Sequence, residues 1–231
     1  MSEPGSRRGR IHKAEKAREA ILDAAELVFT EHGFDGARID AIAIEAGYNK
    51  SLIFQYFGDK LGLYAEVTKR ADKEMSELQG RVLVTLFEDD TVATDARKFR
   101  ALLENIVGAL FDYLLEHPRL VRIILWEQAE NWQTYKKIFS QLDTEDHAQF
   151  ERLFQRAWKS GLLRSNFAPL LQITMALQMC MSYLSYIPIY EMVLPGEDVS
   201  SAAALASARE YIMNSFVAGT MSASGYQKTE I

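Results

Sequence analysis

The chain has 231 residues, 48% of them hydrophobic and 25% charged, the balance of a soluble globular protein with room for one large domain or two modest ones. A single cysteine, Cys180, excludes an internal disulfide and a cysteine-built metal site, and the basic stretch Arg7 to Arg18 has no apolar core behind it, so a secretory signal is not read there and the cytoplasm is the expected compartment. The net charge of −6 hides an asymmetry: residues 1–18 hold six basic and two acidic side chains, net +4, against −10 for the remainder, as expected if one end meets phosphates, or if a basic tail merely keeps the chain soluble.

Residues 1–14 read as a flexible basic arm. From about Glu15 to His32, Ile21, Leu22, Ala25, Val28 and Phe29 recur at helical spacing, and Gly33 is placed to stop that helix. Ile39, Ile42, Ala43 and Ala46 form a second short stripe ending at Gly47. Asn49 can cap a third helix through its side-chain oxygen, in which Ile53 and Phe57 fall four apart on one face. Gly58 ends it, and Asp59 can cap a fourth helix over about 59–80 through Leu63, Val67 and Ala71.

Larger elements follow. Phe99, Leu102, Leu103, Ile106, Leu110 and Leu114 trace an amphipathic helix ending near His117, and Pro118 suits the first turn of the next, with Leu120, Ile123, Ile124 and Trp126. Trp132 to Ser160 reads as one or two helices closed by Gly161. Residues 165–190 carry no charge, but Gln172, Thr174, Gln178 and Ser182 interrupt them, with Pro169 and Pro188 near the ends. A helix over 168–186 buried inside protein is therefore expected rather than a membrane span. The last helix, about 200–218, sets Leu205, Ala208, Ile212 and Phe216 on one side. No strand-like run and no cofactor-binding glycine loop competes, so the expected class is all-α with no cofactor.

The chemistry concentrates in residues 39–57. Short helix, Gly47 turn, short helix is the specification of a helix-turn-helix: Ala43 and Ala46 allow close crossing, and glycine permits the turn. With Ile42, Ile53 and Phe57 turned inward, the third helix shows Lys50, Ser51, Leu52, Phe54 and Gln55 outward, a face suited to a major groove. An ordinary helical hairpin would have similar periodicity. Ala37-Arg38 before the second helix offers no side-chain cap, which leaves Asp40 to cap slightly later or Arg38 to clamp phosphate.

The residues running from Gly33-Phe34-Asp35-Gly36 through Ile42-Ala43, Ala46-Gly47, Lys50 and Tyr56-Phe57 to Lys60 resemble the DNA-binding domain of the tetracycline-repressor (TetR) family. That resemblance implies a three-helix helix-turn-helix domain over 15–62, followed by a larger helical effector-binding and dimerisation domain over 63–231. It implies a homodimeric regulator of double-stranded operator DNA, usually a repressor, paired through its last two long helices and released by a small molecule. It brings Lys50, Ser51 and Leu52 near base edges, and Gln55, Tyr56 and Lys60 near the sugar-phosphate backbone. Arg38, Asn49 and Phe54 complete the candidate DNA-binding set. Phe54 stands where the family commonly has tyrosine, which removes a hydroxyl contact.

Trp126, Phe150, Phe154, Met175, Met179 and Tyr183 offer aromatic and thioether groups to an apolar effector pocket, with Gln178, Tyr183 and Tyr186 as polar anchors. The same residues also suit plain core. Helices 168–186 and 200–218, the latter with Ala202, Ala203, Ala206 and Ala208, could form half of a four-helix bundle between two subunits. Against a small helical enzyme stand four scattered histidines without metal-ligand spacing, and no nucleophile elbow, phosphate loop or carboxylate motif. A dimeric helical module that does not bind DNA remains the other alternative.

Overall fold

A computed structural model describes residues 4–71, 73, 89, 91–141, 145–164 and 168–223. Among them the secondary structure is helical, with one isolated antiparallel bridge between Leu163 and Met221. The class is all-α. No helix among the described residues is long and apolar enough to cross a membrane.

The chain forms two compact units, residues 1–73 with 118–142, and residues 74–117 with 143–231. The split expected between residues 62 and 63 therefore does not coincide with the compact units. The cause lies in contacts far apart in sequence, described next.

In the first unit, α1 spans Pro4–Gly36. Over 4–14 it is helix where a flexible arm was expected; proline has no N–H to lose at a first helical position, and the Arg, Lys, Ala and Glu that follow are good helix formers. Residues 1–3 of that arm lie outside the described residues. Gly33, at φ 67° and ψ −178°, breaks α1 where a stop was expected, in a region open essentially to glycine alone. After it come α2 (Ile39–Ala46), α3 (Lys50–Phe57) and α4 over 60–71; the expected continuation of α4 to residue 80 lies largely outside the described residues. Asp59 caps α4, its Oδ1 accepting from the Gly62 N–H at 2.7 Å. A Cβ at Gly62 would stand 2.1 Å from the Phe57 carbonyl oxygen, so this turn requires glycine.

α6 (Pro118–Ala129), α7 (Tyr135–Ile138) and the 3-10 turn Phe139–Gln141 complete the unit, with α5 reserved for the second. α6 packs along α1. The Thr30 carbonyl accepts the Trp126 indole N–H at 3.1 Å and Arg122 Nε at 3.2 Å, and the Trp126 ring lies over Gly33, 3.0 Å from where a Cβ would be. Glu127 is buried. Its carboxylate accepts the Tyr64 hydroxyl of α4 at 2.6 Å and the Tyr135 N–H of α7 at 3.0 Å. Arg70 of α4 pairs with Asp23 at 2.7 Å and with Glu26 on α1, and Arg18 pairs with Glu66. These bonds make α4 and α6 part of the first unit.

In the second unit, α5 (Ala96–Glu116) is capped by Asp95, which accepts from the N–H groups of Arg97 and Lys98 at 2.9 and 3.0 Å. It lies against α9 (Pro169–Val193) and α10 (Ala202–Thr220), and α8 (Glu145–Lys159) lies against α9. Phe99, Leu102, Leu103, Phe111 and Leu114 of α5 are buried, as is Phe154 of α8. Asp112 grips Arg209 of α10 in bidentate fashion at 2.8 and 2.9 Å, across a surface that only Gly108 leaves open.

α9 is longer than the expected 168–186. It continues through Pro188 to Val193, because Pro188 is on the exposed face, where the carbonyl left without a donor can be hydrated. It is also buried on one side alone. Gln172, Ala176, Cys180 and Met181 are buried, whereas Leu171, Met175, Gln178, Ser182, Tyr186, Ile189 and Val193 form an exposed stripe. Burial pushes the Cys180 thiol up to about 12, so it stays protonated and inert at neutral pH.

The Tyr64–Glu127 bond yields a prediction. Tyr64→Phe leaves a buried carboxylate oxygen without its donor and should cost about 1–3 kcal/mol in urea unfolding. Burial first, then Glu127, raises the Tyr64 phenol well above the usual tyrosine range. The unfolded chain therefore ionises this group from about pH 10 upward while the folded one cannot. Stability should fall with rising pH in that window, and the fall should be shallower in Tyr64→Phe.

Candidate nucleic-acid interface

The geometry of the α2–α3 pair follows from which faces are dry. Ile42 and Ile53 are fully buried, and with Ala43 and Phe57 they join Ile21, Ala25 and Phe29 of α1 in one apolar cluster. Gly47, at φ 70°, turns the chain in the left-handed region. The Gly47 and Tyr48 N–H groups close the end of α2 on the carbonyls of Ile44 and Ala43 at 3.2 and 3.1 Å. Asn49 caps α3, its Oδ1 accepting the Leu52 N–H at 2.9 Å.

Lys50, Ser51, Phe54 and Gln55 stand exposed on α3, and Arg38 is exposed at the start of α2, where no side chain caps the helix. Four other candidates are engaged within the unit. Leu52 is half-buried against the apolar cluster rather than outward, since its place on α3 turns it partly toward α1. The Asn49 side chain is committed to its cap. Tyr56 packs on the same cluster, and its hydroxyl donates to the Ala14 carbonyl at 3.3 Å. Lys60 donates to the Asp35 carbonyl at 3.2 Å and lies 4.7 Å from the centre of the Phe34 ring. Burial pulls its ammonium below the usual lysine range, against the opposing influence of Asp35 and Glu130.

The effector candidates divide between the units. Trp126 belongs to the first, where its indole is engaged with Thr30 and Gly33. In the second, Phe154 is core, in ring contact with Phe99 at 5.6 Å and Phe150 at 4.6 Å. Met179 and Tyr183 are half-buried, and the Tyr183 hydroxyl donates to the Val199 carbonyl at 2.9 Å. Met175, Gln178 and Tyr186 are exposed on the outer stripe of α9.

Residues 21–67 match the family described as bacterial regulatory proteins, tetR family, and residues 100–215 match its tetracyclin repressor-like C-terminal domain. The chain belongs to the TetR family. It is similar to the HTH-type transcriptional repressor SCO4008 of Streptomyces coelicolor, 39% identical over 118 residues that cover 51% of this chain and 52% of that protein. The HTH-type transcriptional activator FasR of Mycolicibacterium smegmatis is 27% identical over 170 residues, 73% of this chain and 71% of the activator. The chain spans about half the length of SCO4008 and of NicS, a repressor of Pseudomonas putida. The fold is shared with SCO4942 of Streptomyces coelicolor, with a TM-score of 0.61 and 23% identity over 88% of this chain and 98% of that one. It is shared too with FadR of Bacillus subtilis in complex with stearoyl-CoA, at a TM-score of 0.54 and 17% identity over 87% and 98% of the two chains.

As a TetR-family helix-turn-helix, the α2–α3 pair contains one partnership that periodicity did not reveal. Lys50 Nζ forms an ion pair with Asp40 Oδ1, joining the first turns of the two helices. By sequence Asp40 suits only a late cap of α2, and no spacing rule links two residues ten apart across a turn. Removing the Asn49 cap is the simplest perturbation of this ridge. Asn49→Ala should cost about 1 kcal/mol of stability, read as a lower urea midpoint at unchanged slope.

Proposed function

We propose that this chain is a ligand-responsive transcriptional regulator, a cytoplasmic repressor that binds a near-palindromic operator as a homodimer and is released by a small molecule. The observation that carries the proposal is the exposed ridge Lys50, Ser51, Phe54 and Gln55 on α3, opposite the buried Ile53 and Phe57. Such a ridge offers donors and an aromatic edge to bases in a major groove. Arg38 stands beside the uncapped N-terminus of α2, whose free N–H groups and dipole favour a phosphate. Tyr56, Asn49 and Lys60 act in this proposal by shaping and steadying the ridge, with Lys60 close enough to the α4 terminus to share a phosphate when DNA docks.

Pairing is assigned to the outer faces of α9 and α10. Met175, Tyr186, Ile189 and Val193 are exposed on α9, Tyr211 is 72% exposed on α10, and Ala203, Ala206 and Ser207 there permit close approach. A row of large apolar side chains facing water marks a contact surface, and two copies related by a two-fold axis would make a four-helix bundle. Two ridges held about 34 Å apart, one turn of the duplex, would select a near-palindrome. The effector is assigned to the second unit, where the half-buried Phe150, Met179 and Tyr183 supply apolar and aromatic surface and Phe150 rests on the core ring of Phe154. The FadR neighbour, which shares this fold, was solved with stearoyl-CoA.

Two measurements test the proposal. Binding to a randomised duplex pool should enrich a near-palindromic sequence, with affinity falling linearly in log–log form as salt rises. A chain that dimerises yet binds no duplex at any salt concentration would instead be an interaction module. Ile189→Glu should convert a dimer into a monomer in sedimentation at micromolar concentration and weaken operator binding at least tenfold; an unchanged mass would remove α9 from the interface.

A further inference from the structure

The Asp40–Lys50 ion pair joins the first turns of α2 and α3, beside the ridge that is exposed on α3. Both residues are about half-exposed, with 48% and 52% of their side-chain surface open, and both stand on the surface assigned above to DNA. An acidic group there faces phosphates and opposes docking unless it is neutralised. An exposed pair of this kind adds little to folding, about 0–1 kcal/mol, so its larger effect is on which partners remain open to Lys50. Asp40 lies in the first turn of α2, which favours a carboxylate, and Lys50 is the first residue of α3. The N-terminal residues of a recognition helix are those that approach base edges.

A lysine ammonium has three N–H donors and no acceptor. Held by Asp40, Lys50 retains two, which match the O6 and N7 acceptors that guanine presents in the major groove. Without Asp40 the same flexible side chain is drawn to the nearest phosphate, where it adds affinity for any sequence. Docking excludes water and lowers the local dielectric, which strengthens the pair in the complex.

We propose that Asp40 is a positioning residue for sequence readout: by holding Lys50 it reserves that ammonium for a guanine edge and denies it to the phosphate backbone. This rests on α3 being the helix that reads DNA. It commits the operator to a guanine opposite Lys50 in each half-site.

The test starts from the duplex that the wild-type protein enriches from a randomised pool. Affinity is measured for that duplex and for a scrambled one of equal length, across a salt series, with wild type, Asp40→Asn, Lys50→Ala and the double variant. Asp40→Asn should bind the scrambled duplex more tightly, steepen the salt slope by about 0.9, and lower discrimination between the two duplexes about fivefold or more. In the Lys50→Ala background, Asp40→Asn should leave discrimination unchanged. Unaltered discrimination in Asp40→Asn, or an equal loss in both backgrounds, would show a general charge effect and overturn the proposal. Matching circular-dichroism melts exclude unfolding as the cause. A wild-type chain that enriches nothing would sink the regulator assignment itself, whereas one that enriches a sequence insensitive to Asp40 would sink only this inference.

Discussion

A short helix that must keep one face dry has no freedom over what it shows to water. α3 is eight residues long, with Ile53 and Phe57 locked into the apolar cluster of α1. Those two side chains fix the rotation of the helix about its axis, and with it the outward direction of Lys50, Ser51, Phe54 and Gln55. Gly47 and the Asn49 cap set where the helix begins. The interface is thus a consequence of packing beneath it, and a change in the inner face would re-aim the ridge without touching a residue on it.

The same unit depends on a buried carboxylate. Glu127 draws together α4, α6 and α7 through Tyr64 and Tyr135, and the Trp126 indole ties α6 to the end of α1 at Gly33. Burying a carboxylate is costly unless its oxygens are bonded, so both donors must be present for these helices to pack. Residues 118–142 are therefore as much part of the first unit as the helix-turn-helix. The chain passes from one unit to the other at three points, near residues 73, 117 and 142.

In the second unit, two long helices each serve two environments. α9 buries Ala176 and Cys180 while showing Met175 and Ile189 to water, and α10 buries Ile212 and Phe216 while showing Tyr211. From residue 169 to residue 190 α9 carries no charged side chain, yet one of its faces is wet and apolar. Its composition answers the core on one side and leaves large apolar side chains exposed on the other.

How far these features were legible varies with the range of the interaction involved. Sequence periodicity placed the limits of α2, α3 and α5, and the caps at Asn49 and Asp59, because 3.6-residue repeats, left-handed glycines and capping side chains act within a few residues. It could not show that Leu52, Tyr56 and Lys60 are engaged inside the unit, that Asp40 pairs with Lys50, or that Trp126 sits over Gly33. Nor could it say which face of α9 meets the core, since an apolar composition does not carry that information. Local chemistry determined the helices and the family. Contacts between residues ten to a hundred positions apart, whose geometry exists only once the helices are packed, decided which side chains remain free to bind.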